Sequence, residues 1–475
     1  MRTRNAQMSL FDTYQSVGER LENDKPELFR LLDEHLDWDE LIPYTFYIAF
    51  YRRFGRNRKY DLESFMKALF LQRIFHYVED TQLLNTLRFS YEMRDYCGFD
   101  KVPDAAKLTR FKQDFCDHIR AVFEQLVEMT EPICREMDEL LANMLILDTT
   151  GIESYVTENN PKFAQTKERQ AKAYAKVDPT FDPVLGKTAF MPEFAASNPA
   201  VKQQYINGHF CYAQKAAVAA NGLGIVRHLE LLDEDFKQAH PEMEIDKRTS
   251  YPELDKEIGD STSLRPVLLD FRAAHPSFCY DTFSGDAAFD SYDNYSFLLH
   301  DYRFEKAVIP LNLRRGLPAA DIGFNENGTP LCPLDHTPFR TDGSCAGKHR
   351  SFRLKFVCPK AKRVGTTFIS QCENSCTPSK GGRSIYVYPD RNLRLYPGIS
   401  RDDPAFEVIY NRRAAVERSI SSLKDTLGVA NRKTSNALTT KADLFLAGIV
   451  QLLCVLLADK LHDAKLARRP RKLIA

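Results

Sequence analysis

The stretch that most restricts what this chain can fold into is Asp403–Lys424, DPAFEVIYNRRAAVERSISSLK. Pro404 suits a first helical turn, because its φ is already helical and its missing N–H has no partner there. Gly428 stops the pattern after the last apolar position. Val416, Ile420, Leu423 and Leu427 recur at spacings of four, three and four, one helical stripe that must be buried. At roughly 100° per residue, Tyr410, Arg413, Glu417 and Lys424 fall within about 60° of one another. A carboxylate, two cations and a phenol therefore form one line at the edge of a core. Such a line is either a solvated face laced with ion pairs or a site.

The spacing decides between them. Tyr410, two residues, Arg413, three residues, Glu417, six residues, Lys424 resembles the signature of bacterial insertion-sequence transposases of the DDE type, in the group whose carboxyl-terminal catalytic helix carries these four residues. The resemblance implies that Glu417 is the third of three metal-binding acids. It also implies that Arg413 and Lys424 contact phosphate of the element's ends, and that Tyr410 stacks on or hydrogen-bonds to that DNA unless it serves packing.

Two aspartates that follow strand-like runs are the candidates for the other two acids. Met144–Leu147 is a short apolar run, expected as a buried strand, and it ends in Asp148-Thr149-Thr150-Gly151. Residues 158–205 are polar and broken by Asn-Pro and Asp-Pro, an excursion from the sheet. His209–Ala219 and Gly224–Leu232, joined through Asn221-Gly222, form a hairpin pattern. After an acidic segment to Asp260 and a helix, Ser277–Phe283 is a further strand leading to Gly285-Asp286-Ala287, and Glu305–Leu311 is another. Strand, hairpin, helix, strand, helix, strand and a terminal helix is the order of an RNase H-like α/β core: a mixed sheet flanked by helices. It puts Asp148 and Asp286 at the ends of neighbouring strands, with Glu417 on a helix across them. The resemblance assigns Asp148 and Asp286 as the first and second metal ligands. Three carboxylates are the protein's part of a two-metal phosphoryl-transfer site, since hard cations take carboxylate oxygen. Two Mg²⁺ ions, with Mn²⁺ as a substitute, are the implied cofactor.

Residues 1–125 are expected to be helical. Leu62, Phe65, Met66, Leu69, Phe70 and Ile74 share one face, and a helix follows over Thr81–Glu92. Gly98 and Pro103 make a break, and Asp104 is an N-cap candidate for a helix carrying Lys107, Arg110 and Lys112. This arrangement resembles the InsH-type amino-terminal domain of the same transposases and implies a domain that binds the element's ends, with Lys107 and Arg110 at the DNA.

Net charge is zero, with 65 cationic and 65 acidic residues, which excludes a chain that coats nucleic acid indiscriminately. The charge is local: residues 340–383 hold ten Lys or Arg against Asp342 and Glu373, suiting a segment along DNA backbone. Cys332, Cys345, Cys358, Cys372 and Cys376 fall here with His336 and His349, and Cys-x3-Cys and Cys-x3-His are ligand-like spacings. A structural Zn²⁺ is the metal reading, unrelated thiols the other. No apolar segment follows Arg2 and Arg4, and Leu444–Ala458 is too short to span a bilayer, so it is expected as a buried helix. Eleven cysteines without an export signal suit a cytoplasmic, nucleoid-associated protein.

The expected division is 1–125 for end binding, 140–320 with 385–462 for catalysis, 321–384 as a basic Cys-rich insertion, and 463–475 as a basic, solvated tail. The implied function is a transposase that cleaves its element's ends and joins them to target double-stranded DNA, as a homodimer or higher assembly. An RNase H-like nuclease without strand transfer and a catalytically silent DNA-binding protein are the competing readings. The intact Asp148, Asp286 and Glu417 speak against the last.

Overall fold

A computed structural model describes residues 25–52, 57–182, 190–243, 258–312, 322–325, 327–347, 350–389, 393–430, 432–434 and 436–474. The chain forms two compact units: Met1–Ile133 with Ser422–Ala475, and Cys134–Ser421. Residues 422–462, grouped with the catalytic core on sequence grounds, thus belong with the amino-terminal helices.

The first unit is helical. Its described elements include Glu27–His35, Tyr44–Phe50, Leu62–Ile74, Asp80–Phe89, Tyr91–Tyr96, Ala105–Asp114 and Ala437–Lys460. The Asp104 side chain accepts the Lys107 N–H and caps its helix as expected, and Gly98 turns the chain with φ +72°. Leu62–Ile74 departs from the one-faced stripe: Ser64, Ala68, Leu71, Gln72 and Arg73 are buried as well as the six apolar positions. A helix buried all round has no amphipathic signature to display. Ala437–Lys460 is long and apolar enough to cross a membrane by length and composition, more than the run Leu444–Ala458 suggested, yet 94% of its most apolar window is buried inside the protein. The basic tail forms 3₁₀ turns at Leu466–Arg468 and Pro470–Ile474, where a solvated chain was expected.

The second unit is built on a mixed sheet of β1 (Met144–Glu153), β2 (Phe194–Ala195), β3 (Asn198–Ile206), β4 (His209–Asn221), β5 (Val226–Leu231), β6 (Thr282–Ser284) and β7 (Lys306–Val308). The order is β2-β3-β4-β1-β6-β7, and β5 also pairs with β4. β1 is antiparallel to β4 and parallel to β6, which is parallel to β7. The hairpin expected through Asn221-Gly222 is present as β4 and β5. The polar stretch 158–205 leaves the sheet for the helix Pro161–Tyr174, but it returns as β2 and β3, which extend the sheet. Leu145 and Leu147 join Phe271, Phe283 and Leu298 in the main core of this unit. Pleating turns Ile146 and Asp148 to the opposite face. The segment 321–384 forms a module of its own, with β8 (Arg340–Gly347), β9 (Arg350–Val357) and β12 (Ser384–Val387) in one sheet and β10 (Ala361–Val364) with β11 (Thr367–Ser370) in another.

Candidate active site

The site starts from sheet register. β1 and β6 are parallel with Ile146 beside Ser284, and two residues further along each chain Asp148 and Asp286 come near enough for their charges to interact. Asp148 is not at a strand end, as expected, but in the middle of β1 opposite Val218. β1 runs on to Glu153 because β4 continues to pair with it past the end of β6. The Asp286 side chain accepts the Ala288 N–H as cap of a short 3₁₀ turn, which fixes it just past its strand.

The terminal helix is not one even rod. Pro404–Tyr410 is α-helical, Asn411–Arg413 is 3₁₀, Ala414–Ser421 is α-helical and Ser422–Thr426 is π-helical. Ala414–Ser421 packs on β1 and β4 through buried Ala415, Val416 and Ser419. The small Ala216 and Val218 of β4, on the Asp148 face by register, let it come close. Gly224, at φ +82°, lies where a Cβ would sit 3.1 Å from the Ala415 carbonyl.

From this helix the Arg413 guanidinium joins the acids. Its Nη1 is 3.3 Å from Asp148 Oδ2 and its Nη2 is 2.5 Å from Glu417 Oε1. Glu417 is half exposed, whereas Arg413 and Asp148 keep about a fifth of their side chains exposed. Tyr410 stacks on Phe406 and packs against Val308 and Ile399, with the Arg413 guanidinium over its ring, so packing is part of its role. Lys424 lies in the π-helical turn and belongs to the first unit.

A fourth acid escaped the sequence pattern. Asp260 accepts Thr149 Oγ1 at 2.6 Å and pairs with Lys215 Nζ at 2.5 Å. It opens the helix Asp260–Ala274, and no spacing links it to the other three.

Burial pushes the Asp148 carboxyl up to about 6, the neighbouring Asp286 adds to this, and the Thr149 N–H and Arg413 oppose it. Burial would lower Arg413, but Tyr410, Glu417, Asp148 and Asp286 together raise it. Between about pH 4 and 6 folded Asp148 binds more proton than the unfolded chain does, so stability falls as pH rises through that window and the cost persists above it. In EDTA, Asp148→Asn is therefore expected to stabilise this unit by roughly 2 kcal/mol at pH 7.5 and by nothing measurable at pH 3.5. Urea unfolding at the two pH values checks this. A loss of stability at pH 7.5 contradicts it.

Hard oxygen donors crowded against one another suit a divalent cation. Among the described residues, however, the set of three metal-ligating side chains whose donor atoms lie within 4.8 Å is Glu153, His209 and Cys211. Arg413 stands between Asp148 and Glu417, so a cation held by both carboxylates has to displace that guanidinium.

In the first unit, Lys107 and Arg110 line a groove with Arg52, Arg58 and Lys59 over Phe50, Phe65, Phe111 and Phe115. Lys112 does not join them. It is buried, 3.2 Å from Asp80 and 3.4 Å from Asp443, because its place on the helix turns it to the core.

In the insertion, Cys332, Cys358, Cys372 and Cys376 line one small pocket. Cys345 stands apart, paired across β8 and β9 with Arg353. His336 is an exposed turn residue at φ 56° whose N–H bonds to the Cys332 carbonyl. His349 lies outside the described residues. The basic excess is partly spent within the module, where Lys355 pairs with Asp342, Lys360 with Asp335, and Arg353 covers the Tyr386 ring.

Residues 16–114 match the family model described as Transposase domain (DUF772). The amino-terminal stretch is similar to a transposase domain. No curated protein matches the chain. Among solved structures, it is similar to piggyBac transposase in a synaptic complex with hairpin DNA, at 11% identity over 94% of this chain and 84% of that one. The TM-score of 0.25 is too low for that likeness to carry any argument.

Proposed function

We propose that this protein is a DNA transposase of the DDE type that cleaves the ends of its element and joins them to target DNA. The observation that carries the reading is the meeting of Asp148 in β1 with Asp286 just past the parallel strand β6, with Arg413 linking Asp148 to Glu417. The transposase-domain match at residues 16–114 supports it from outside the site. The strand order β5-β4-β1-β6-β7, taken with chain order, supports an RNase H-like core.

Asp148, Asp286 and Glu417 would hold Mg²⁺. Bound there, the metal supplies an activated water and neutralises charge on the leaving oxygen. The protein's own part is to fix three carboxylates on rigid elements, two by sheet register and one by a packed helix. Arg413, on release from the carboxylates, is placed to bind a phosphate oxygen with its planar fork. The test is nicking of a labelled duplex carrying the element's end. Cleavage is expected in Mg²⁺ or Mn²⁺ and none in EDTA, while cleavage that persists in EDTA overturns the metal-dependent reading.

End binding is assigned to the groove of the first unit, where cations flank an aromatic floor. Phosphate contacts dominate DNA affinity and make it salt-dependent. Lys107→Glu with Arg110→Glu is expected to weaken end binding and to reduce the slope of log affinity against log salt by about two. Gel shifts at several salt concentrations measure both. An unchanged slope removes these residues from the interface.

A further inference from the structure

The insertion is a thin module. Its buried cluster is Cys332, Phe339, Leu354, Phe356, Cys358, Ala361, Val387 and Leu395, so two of its eight core residues are thiols. Small modules with so little apolar core are ordinarily held by disulfides or a metal. Cys332, Cys345, Cys358, Cys372 and Cys376 form no disulfide.

Four of them, from three separate segments, line one small pocket. Cys332 opens a turn closed by hydrogen bonds to Thr337 and His336, and it borders Asp335 and Lys360. Cys358 directly follows β9, and its carbonyl accepts the Ala361 N–H in a tight turn. Gly382, at φ +81°, passes so close that a Cβ there would lie 2.9 Å from Cys358 Cβ. Cys372 and Cys376 sit in a segment with neither helix nor strand between β11 and β12, and Cys372 Sγ is 3.0 Å from the Asn374 carbonyl. All four line the same pocket, whereas Cys345 and His336 do not.

We propose that Cys332, Cys358, Cys372 and Cys376 form a structural zinc site that staples the 321–384 module. Four thiolates from short turns are a soft, tetrahedral donor set, which selects Zn²⁺ over the hard cations suited to the carboxylates. Binding draws the four sulfurs together and releases their protons, so the metal's binding free energy becomes folding free energy of the segment 371–383.

Elemental analysis of the full chain, purified under reducing conditions without chelator, is expected to give about one zinc per chain. Cys358→Ser and Cys372→Ser should each bring this near zero, while Cys345→Ser retains it. Loading the metal-free protein with Co²⁺ should give the visible absorption of tetrahedral cobalt thiolate even where a variant folds poorly. Release of zinc by a mercurial should expose the 371–383 segment to protease. Metal-free protein with four reactive thiols, a Cys372–Cys376 disulfide, iron in place of zinc, or zinc loss on Cys345→Ser would each overturn the assignment.

Discussion

Asp148→Ala, Asp286→Ala and Glu417→Ala are each expected to lower Mg²⁺-dependent cleavage of an element-end duplex by on the order of 10³-fold. Each removes one carboxylate from a set in which two are fixed by β1–β6 register and the third by helix packing. DNA binding in EDTA should survive, because phosphate contacts elsewhere supply most of the affinity. Loss of a negative charge even reduces repulsion of the duplex. Glu417→Asp should fail as well, since one methylene less withdraws the carboxylate from partners that cannot follow it. Arg413→Ala should differ in kind: cleavage chemistry remains while end binding and its salt dependence weaken. If Glu417→Ala cleaved normally and a nearby acid such as Glu407 proved essential, the register of the helix on the sheet would be wrong. Asp260→Asn separates the fourth acid from the other three. Its carboxylate is engaged with Thr149 and Lys215, so a smaller loss is expected.

Asp443→Ala is expected to destabilise the first unit by about 3–5 kcal/mol. Asp443 keeps 1% of its side chain exposed and meets Arg73 at 2.5 Å, Arg432 at 2.6 Å and Lys112 at 3.4 Å. Asp80 completes the cluster against Lys112 and Arg432. Removing Asp443 leaves three largely buried cations facing one carboxylate. Burial works against both acids, yet the cations hold Asp80 and Asp443 well below the usual carboxylate range. The folded acids therefore keep their charge after the unfolded ones have taken up protons. Their stabilisation is complete above about pH 4 and is lost as pH falls toward the folded values. Urea unfolding across pH, with hydrogen exchange over Leu62–Ile74 and Ala437–Lys460, measures the effect. A loss under about 1 kcal/mol would mean that water or rearrangement relieves the stranded charges.

Local features were legible from chain order alone. Period-two and period-four patterns placed the β4–β5 hairpin and the helix with Glu417. Asp104 announced its own cap, and the spacing from Tyr410 to Lys424 singled out the polar line. These follow from neighbours within a few residues, which the chain order fixes. Packing between distant segments set the rest. Parallel pairing over a gap of 138 residues sets Asp148 beside Asp286, and no local pattern encodes which strand lies next to which. Asp260 enters the site through that same packing. Lys112 looked like Arg110 in the sequence, but Asp443, 331 residues away, makes one a core residue and leaves the other at the surface. The even helix gave way to α, 3₁₀ and π turns, since packing on β1 and β4 outweighs an ideal period. Five cysteines were equivalent as letters. Turn geometry gathered four of them and left Cys345 on a strand, because a ligand set is defined by where side chains meet and not by how they are spaced.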